Sequence, residues 1–324
     1  MTEAWTWHGG NLAAAKRHFG GDDWIDLSTG INPLPWPGAD RVAIDWQRLP
    51  DGEALAHLEA VAAEFFGVAP RHIGAVPGTE IGLRIAGRLI GGEARHATPS
   101  YRTHGEMIAG SLATADADLA AQGGTIILAN PNNPDGRILA PEALDALLAT
   151  RGDTGWLLVD EAFADCDPTL SIAARIADDR RLLVFRSFGK FFGLAGVRLG
   201  FILGPAPFVQ DLRATLGAWP LSAAAIAIGT AAYADAEWFA ATRRRLPEQA
   251  AALDAVLTGA GYRPQGACPL FRLIETGAAP ALFDRLARRS ILTRPFADQP
   301  HWLRLGLPAD NAALARLADA LADG

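Results

Sequence analysis

The sequence predicts an α/β protein, a large domain with a mainly parallel sheet between helices and a small α+β domain beside it. Three observations carry this. Between residues 73 and 204 short apolar runs alternate with helical periodicity, as the strands and crossover helices of a parallel sheet do. Past residue 205 the chain turns helical and alanine-rich, and its last part alternates again. At 324 residues, half of them hydrophobic, it can bury one large core and a smaller one. The expected division is a large domain over residues 40–215 and a small one formed by residues 1–39 together with 216–324.

In chain order, residues 8–20 read as a short helix with Asn11 as N-cap and Gly20 past its end. Free amides near Gly10, the helix dipole and His8 would make its start an anion site. Asp26–Pro37 is irregular, because Asn-Pro and repeated prolines force extended or turn backbone. Asp51 opens an amphipathic helix to Phe66, with Leu55, Leu58, Val61, Ala62 and Phe65 on one stripe. The expected strands are Ile73–Val76, Arg95–Thr98, Thr125–Ala129, Trp156–Asp160, Leu182–Arg186 and Leu199–Leu203. Leu221–Ala234 reads as a buried helix, too short for the roughly 20 residues of a bilayer span. Arg243–Arg245 reads as a solvated helix face. Leu270–Ile274, Ile291–Arg294 and His301–Gly306 are the expected strands of the small domain, with helices near Ala279–Ser290 and at the end.

Charge and cysteine usage narrow the partners. A net charge of −7 argues against nucleic acid and anionic membranes. Cys166 and Cys268 form neither a disulfide framework nor a metal-ligand spacing, so no metal is expected. No basic head followed by an apolar run opens the chain, and a cytoplasmic protein is expected.

The chemistry-bearing motifs fall after expected strands, where ligands gather in such sheets. Pro-Gly-Thr-Glu follows Ile73–Val76; Gly78 lets backbone approach a ligand, and the Thr79 hydroxyl and the first-turn amides over Gly78, Thr79 and Glu80 can hold a phosphate. Asn-Pro-Asn-Asn-Pro-Asp-Gly follows Thr125–Ala129 as a rigid turn that aims Asn133 at the sheet edge. Asp160 ends a nearly all-apolar strand, where a carboxylate is costly unless something cationic meets it. Lys190 stands in Arg-Ser-Phe-Gly-Lys-Phe-Phe-Gly-Leu-Ala-Gly-Val-Arg-Leu-Gly. Lys16 and Lys190 are the only lysines among 29 basic residues. An arginine can supply charge, but only a lysine amine can lose its proton and bond an aldehyde carbon.

Together and in this order, these motifs resemble those of the fold-type I pyridoxal-phosphate enzymes, the aspartate aminotransferase superfamily. The resemblance implies pyridoxal 5′-phosphate as cofactor. Lys190 would hold its aldehyde and Asp160 its ring nitrogen, Asn133 would donate to the ring oxygen, and Tyr101 would stack on the ring. Gly78, Thr79, Glu80, Ser187 and Arg198 would hold the phosphate. His-Gly-Gly-Asn near the start, Asp-Leu-Ser-Thr-Gly-Ile-Asn-Pro-Leu and the lysine motif are further similar to the threonine-phosphate decarboxylases of cobalamin biosynthesis. That implies decarboxylation of a phospho-amino acid bound by His8, Gly9, Asn32, Asn133, Arg294 and Arg304, and a homodimer. The alternatives are a histidinol-phosphate-type aminotransferase on the same fold and a non-catalytic cofactor-binding module. Phe163 stands where many relatives carry a tyrosine that bonds the ring oxygen. Gly189 replaces a common serine or threonine, and Leu49 replaces a tyrosine that in relatives reaches the partner's cofactor.

Overall fold

The computed structural model describes residues 3–6 and 8–322. The chain forms two compact units, Pro35–Asn133 with Arg137–Ala240, and Met1–Leu34 with Pro134–Gly136 and Ala241–Gly324.

The first unit is built on a seven-stranded sheet: β1 Ile73–Val76, β2 Ala94–Thr98, β3 Leu112–Ala115, β4 Thr125–Ala129, β5 Leu157–Asp160, β6 Leu182–Ser187 and β7 Gly200–Leu203. Their spatial order is β1-β7-β6-β5-β4-β2-β3. Strand β7 runs antiparallel to both neighbours, and every other pair whose direction is set, β2–β3, β2–β4, β4–β5 and β5–β6, is parallel. Six strands stand where the apolar runs place them. The seventh, β3, is a mostly exposed edge strand, Leu-Ala-Thr-Ala, with no alternation to betray it. Because β1 and β6 both pair with the start of β7, Val76 and Ser187 each face Gly200. The carboxyl ends of β1 and β6 and the amino end of β7 therefore share one edge. A Cβ at Gly200 would lie 2.7 Å from the Thr79 amide nitrogen, so only glycine lets the next helix start this close to β7.

Apolar residues from strands and helices close the core, among them Val76, Leu83, Ile127, Leu158, Phe185, Ile202 and Leu212. Helix Gly52–Phe66 begins at Asp51, whose carboxylate accepts from the Glu53 amide at 2.8 Å. Its stripe is not wholly apolar. Glu59 is buried, accepting from the Ala75 amide at 2.8 Å and from Arg213 at 2.6 Å, with burial raising its pKa. The alanine-rich stretch forms the helix Ala223–Tyr233. Tyr233 joins Phe65, Phe66, Phe188, Phe192 and Phe201 in one aromatic cluster.

In the second unit the strands β8 Phe271–Glu275, β9 Arg294–Pro295 and β10 Trp302–Gly306 form an antiparallel sheet in the order β9-β10-β8. The expected strand Ile291–Arg294 is split at Thr293. Ile291–Leu292 instead pairs in parallel with Ile25–Asp26 of the N-terminal arm. Helices Leu12–Phe19, Ala279–Arg288 and Asn311–Ala322 belong to this unit.

Candidate active site

In the first unit the functional side chains stand at the shared sheet edge or in the loops that follow β2, β4 and β5. Gly78 precedes helix Thr79–Ile90 at φ 87°, a backbone that favours glycine, and a Cβ there would lie 2.5 Å from Arg198 Nη2. The Arg198 guanidinium thus lies across the helix start. Arg198 itself is left-handed at φ 57°, a strained backbone for a residue with a side chain, of the kind that collects at functional sites. Thr79 Oγ1 donates to the Arg186 carbonyl at 3.0 Å, so the phosphate expected here would meet the Thr79 main chain. The Glu80 carboxylate is also turned elsewhere. It accepts from Tyr101 Oη at 3.0 Å, Thr103 Oγ1 at 2.8 Å and Arg84 Nε at 2.7 Å. Burial, and then the charge of Glu80, push the Tyr101 phenol up to about 12 and keep it a donor.

Lys190 sits on the short helix Phe188–Phe191 at the end of β6, directly after half-buried Ser187. Phe188, Phe191 and Phe192 are fully buried and turn into the aromatic cluster, while Lys190 is half-buried with Nζ 5.7 Å from the centre of the Phe163 ring. The aromatics that mark this lysine in the sequence are therefore anchors that fix its backbone. Asp160 ends β5 on the neighbouring strand and is buried. Its Oδ1 accepts from the Ala162 amide at 3.0 Å, and its Oδ2 lies 3.1 Å from His104 Nε2. His104 is the partner that a strand-end carboxylate demands, and the sequence reading missed it. Nothing in Arg-Thr-His-Gly-Glu marks it, since only the fold brings positions 104 and 160 together. Two buried asparagines brace the loop that carries Asn133. Asn130 exchanges bonds with Leu139 at 3.0 and 2.9 Å, and Asn132 donates to the Pro99 carbonyl at 2.9 Å beside the Tyr101 loop.

This donor set fits pyridoxal 5′-phosphate. A helix start stripped of side-chain bulk and crossed by a guanidinium suits a phosphate dianion. A buried carboxylate oriented by a histidine suits a ring nitrogen that must stay protonated, and Lys190 supplies the one primary amine among the site residues.

The second unit carries the other expected residues. Arg294 and Arg304 stand directly opposite each other on β9 and β10, so their side chains share a face. Arg304 is buried over the Phe271 ring, 4.8 Å from its centre, and its Nη2 donates to the Ser28 carbonyl at 3.3 Å. Burial, and then the charge of Arg294, lower its pKa to about 9. Like charges opposed and partly desolvated are costly, and a bound anion relieves that cost. Asn32 is buried as well, with Oδ1 accepting from the Leu34 amide at 3.1 Å and from Arg245 at 3.3 Å. Arg243–Arg245 is thus not simply a solvated face. Nor is the Gly10 amide free for an anion, because it donates to Ser28 Oγ at 2.7 Å. His8 is exposed beside it, and Gly9 packs so closely on the Ser28 carbonyl that a Cβ would lie 2.3 Å away.

Residues 100–321 match the family profile of aminotransferase class I and II. A threonine-phosphate decarboxylase from Sinorhizobium sp is 43% identical, with 97% of each chain covered. One from Pseudomonas aeruginosa is 40% identical over 97% of this chain and 96% of its own. The histidinol-phosphate aminotransferase of Sinorhizobium meliloti, solved in complex with pyridoxal-5′-phosphate, superposes with a TM-score of 0.84 at 22% identity, covering 96% of this chain and 93% of that one.

Proposed function

The chain belongs to the aminotransferase class I and II family, and from that premise we propose that it decarboxylates L-threonine O-3-phosphate to (R)-1-amino-2-propanol O-2-phosphate and carbon dioxide. This is the reaction of the aminopropanol arm of cobalamin biosynthesis. One structural observation supports it above the rest, the cross-strand pair Arg294 and Arg304. A substrate with a carboxylate at one end and a phosphate at the other fits two guanidinium-type sites. An aminotransferase's 2-oxo acid would also bring a carboxylate to the pair, and the choice of the decarboxylase is supported by 43 and 40% identity to two threonine-phosphate decarboxylases over 97% of the chain.

When bound, pyridoxal 5′-phosphate supplies an electron sink for whichever α-carbon bond stands perpendicular to its ring. The chain decides which bond that is. Arg304 holds the carboxylate, and Arg294, His8, the Gly9 amide and Asn32 hold the phosphate. Anchoring both ends of the substrate would let these side chains select which α-carbon bond is presented for cleavage, and a carboxylate held by Arg304 would favour loss of carbon dioxide over loss of a proton. Lys190 is the residue that would hold the aldehyde carbon, and its Nζ carries the proton that replaces the departing group. Asp160, oriented by His104, would keep the ring nitrogen protonated. Asn133 would donate to the ring oxygen alone, since Phe163 has no hydroxyl. Gly78, Thr79 and Glu80 would offer main-chain amides to the cofactor phosphate, joined by Ser187 and Arg198, and Tyr101 would cover the ring.

The protein acts as a homodimer in the cytoplasm on this reading. Trp46, Leu49 and Trp219 are 76, 65 and 58% exposed, apolar surface that a second copy would cover. No helix among the described residues is long and apolar enough to cross a membrane. The test is a comparison of kcat/KM for threonine phosphate alone with that for histidinol phosphate plus 2-oxoglutarate. The decarboxylase reading expects the first to dominate, and a preference for the second would replace it with the aminotransferase.

A further inference from the structure

Asn32 Oδ1 accepts two hydrogen bonds, from the Leu34 amide at 3.1 Å and from Arg245 Nη2 at 3.3 Å, and the side chain is only 1% exposed. Both donors are groups that cannot accept. Turning the carboxamide over would set its NH2 against two N–H groups, so the orientation follows from the chemistry of its neighbours. Whatever Nδ2 meets, it meets as a donor. Arg245 lies on helix Ala236–Gly259, where the sequence alone suggests a solvated face, yet it is half-buried and burial lowers its pKa. An arginine held in place against that cost has a task beyond surface charge.

We propose that Arg245 is a positioning residue that fixes Asn32 as a hydrogen-bond donor to the substrate's phosphate. The inference rests on the reading of Asn32 as a phosphate contact. The Leu34 amide alone could hold the carboxamide by one bond. The guanidinium adds a second bond on the same oxygen, and its charge polarises the amide so that the N–H groups become better donors. A phosphate dianion offers only acceptors, so this device selects a phosphorylated substrate over its alcohol. Arg245 touches Asn32 and need not touch the substrate.

The experiment measures binding of inorganic phosphate to the holoenzyme by calorimetry, beside steady-state KM and kcat for threonine phosphate. Replacing Arg245→Met should weaken phosphate binding and raise KM on the order of tenfold, the worth of one hydrogen bond to a charged group, with kcat changed less than KM. Arg245→Lys should restore most of the affinity. Asn32→Asp still satisfies Arg245 and Leu34 but turns a carboxylate oxygen toward the phosphate, so it should lose more affinity than Asn32→Ala. A purely structural arginine would lower the melting temperature of Arg245→Met and leave phosphate affinity unchanged. That result, or an Asn32→Asp protein that binds phosphate as well as the wild type, overturns the proposal. Should Arg245→Met fail to fold, Arg245→Gln takes its place: it can still donate to Asn32 Oδ1 but brings no charge, so phosphate affinity should fall part of the way, and wild-type affinity overturns the proposal. A wild type that binds phosphate through Arg245 and Asn32 but releases no carbon dioxide from threonine phosphate would instead count against the reaction proposed above.

Discussion

Replacing Arg304 by lysine keeps the charge and removes the fork. In the structure the guanidinium is buried over Phe271, tied to the Ser28 carbonyl and opposed to Arg294. A lysine can make one bond to a carboxylate where the guanidinium makes two, so the loss is one charge-assisted hydrogen bond, about 1.5–3 kcal/mol, or about ten- to hundredfold in kcat/KM. A second effect follows from the surroundings. Burial and Arg294 bring Arg304 down to about 9, and the same environment would lower a lysine in its place from an ordinary value already below that of an arginine. Only the protonated side chain attracts the substrate carboxylate, so activity is present below the pKa and lost as pH rises through it. Because kcat/KM reports groups of the free enzyme, its descending limb should fall near pH 9 in the wild type and at lower pH in Arg304→Lys. The assay is carbon dioxide release from threonine phosphate between pH 6 and 9.5. A variant with wild-type kcat/KM, or with a descending limb at the wild-type position, would refute the placing of the carboxylate at Arg304.

Lys190→Arg keeps charge but has no amine, so activity should fall by several orders of magnitude, and borohydride should fix the cofactor to the wild type at Lys190 but not to the variant. Labelling at Lys16 would overturn the assignment. Arg186 is buried between Glu161, at 2.7 Å, and Asp165, and Arg186→Met should cost about 3–5 kcal/mol because it strands two buried carboxyls. Burial already raises Glu161, and losing Arg186 raises it further, so the folded variant holds protons that the unfolded chain releases. Its stability should be greatest in mild acid and fall as pH rises above the ordinary carboxylate range, and a melting-temperature deficit independent of pH would contradict this.

Strands β1, β4, β5, β6 and β7 are legible because they are buried apolar runs ending at glycine, proline or a polar residue, the pattern that a sheet covered on both faces leaves, whereas β2, Ala-Arg-His-Ala-Thr, is only partly buried. Strand β3 is not legible, since an exposed edge carries no burial signal. Glu59 shows the same limit from inside, as a carboxylate on an apolar stripe whose partners, Ala75 and Arg213, lie far away in sequence. The candidate site residues that the sequence offers are those tied to a local motif: Gly78 before its helix, Asn133 in its turn, Asp160 at a strand end, Lys190 among aromatics. His104 and Arg245 lie within hydrogen-bond distance of residues 56 and 213 positions away, Asp160 and Asn32, and no local pattern marks either. The Glu80 carboxylate holds Tyr101 and Thr103, a role that its place in Pro-Gly-Thr-Glu does not mark.

The proposed reaction breaks the bond from the α-carbon to the carboxylate and leaves the amine in place. Incubating the holoenzyme with threonine phosphate labelled with carbon-13 in its carboxyl group, without any 2-oxo acid, tests it directly. One labelled carbon dioxide and one aminopropanol phosphate are expected for each substrate consumed. Turnover that begins only when 2-oxoglutarate is added, with glutamate formed and the label retained in the oxo acid product, would contradict it.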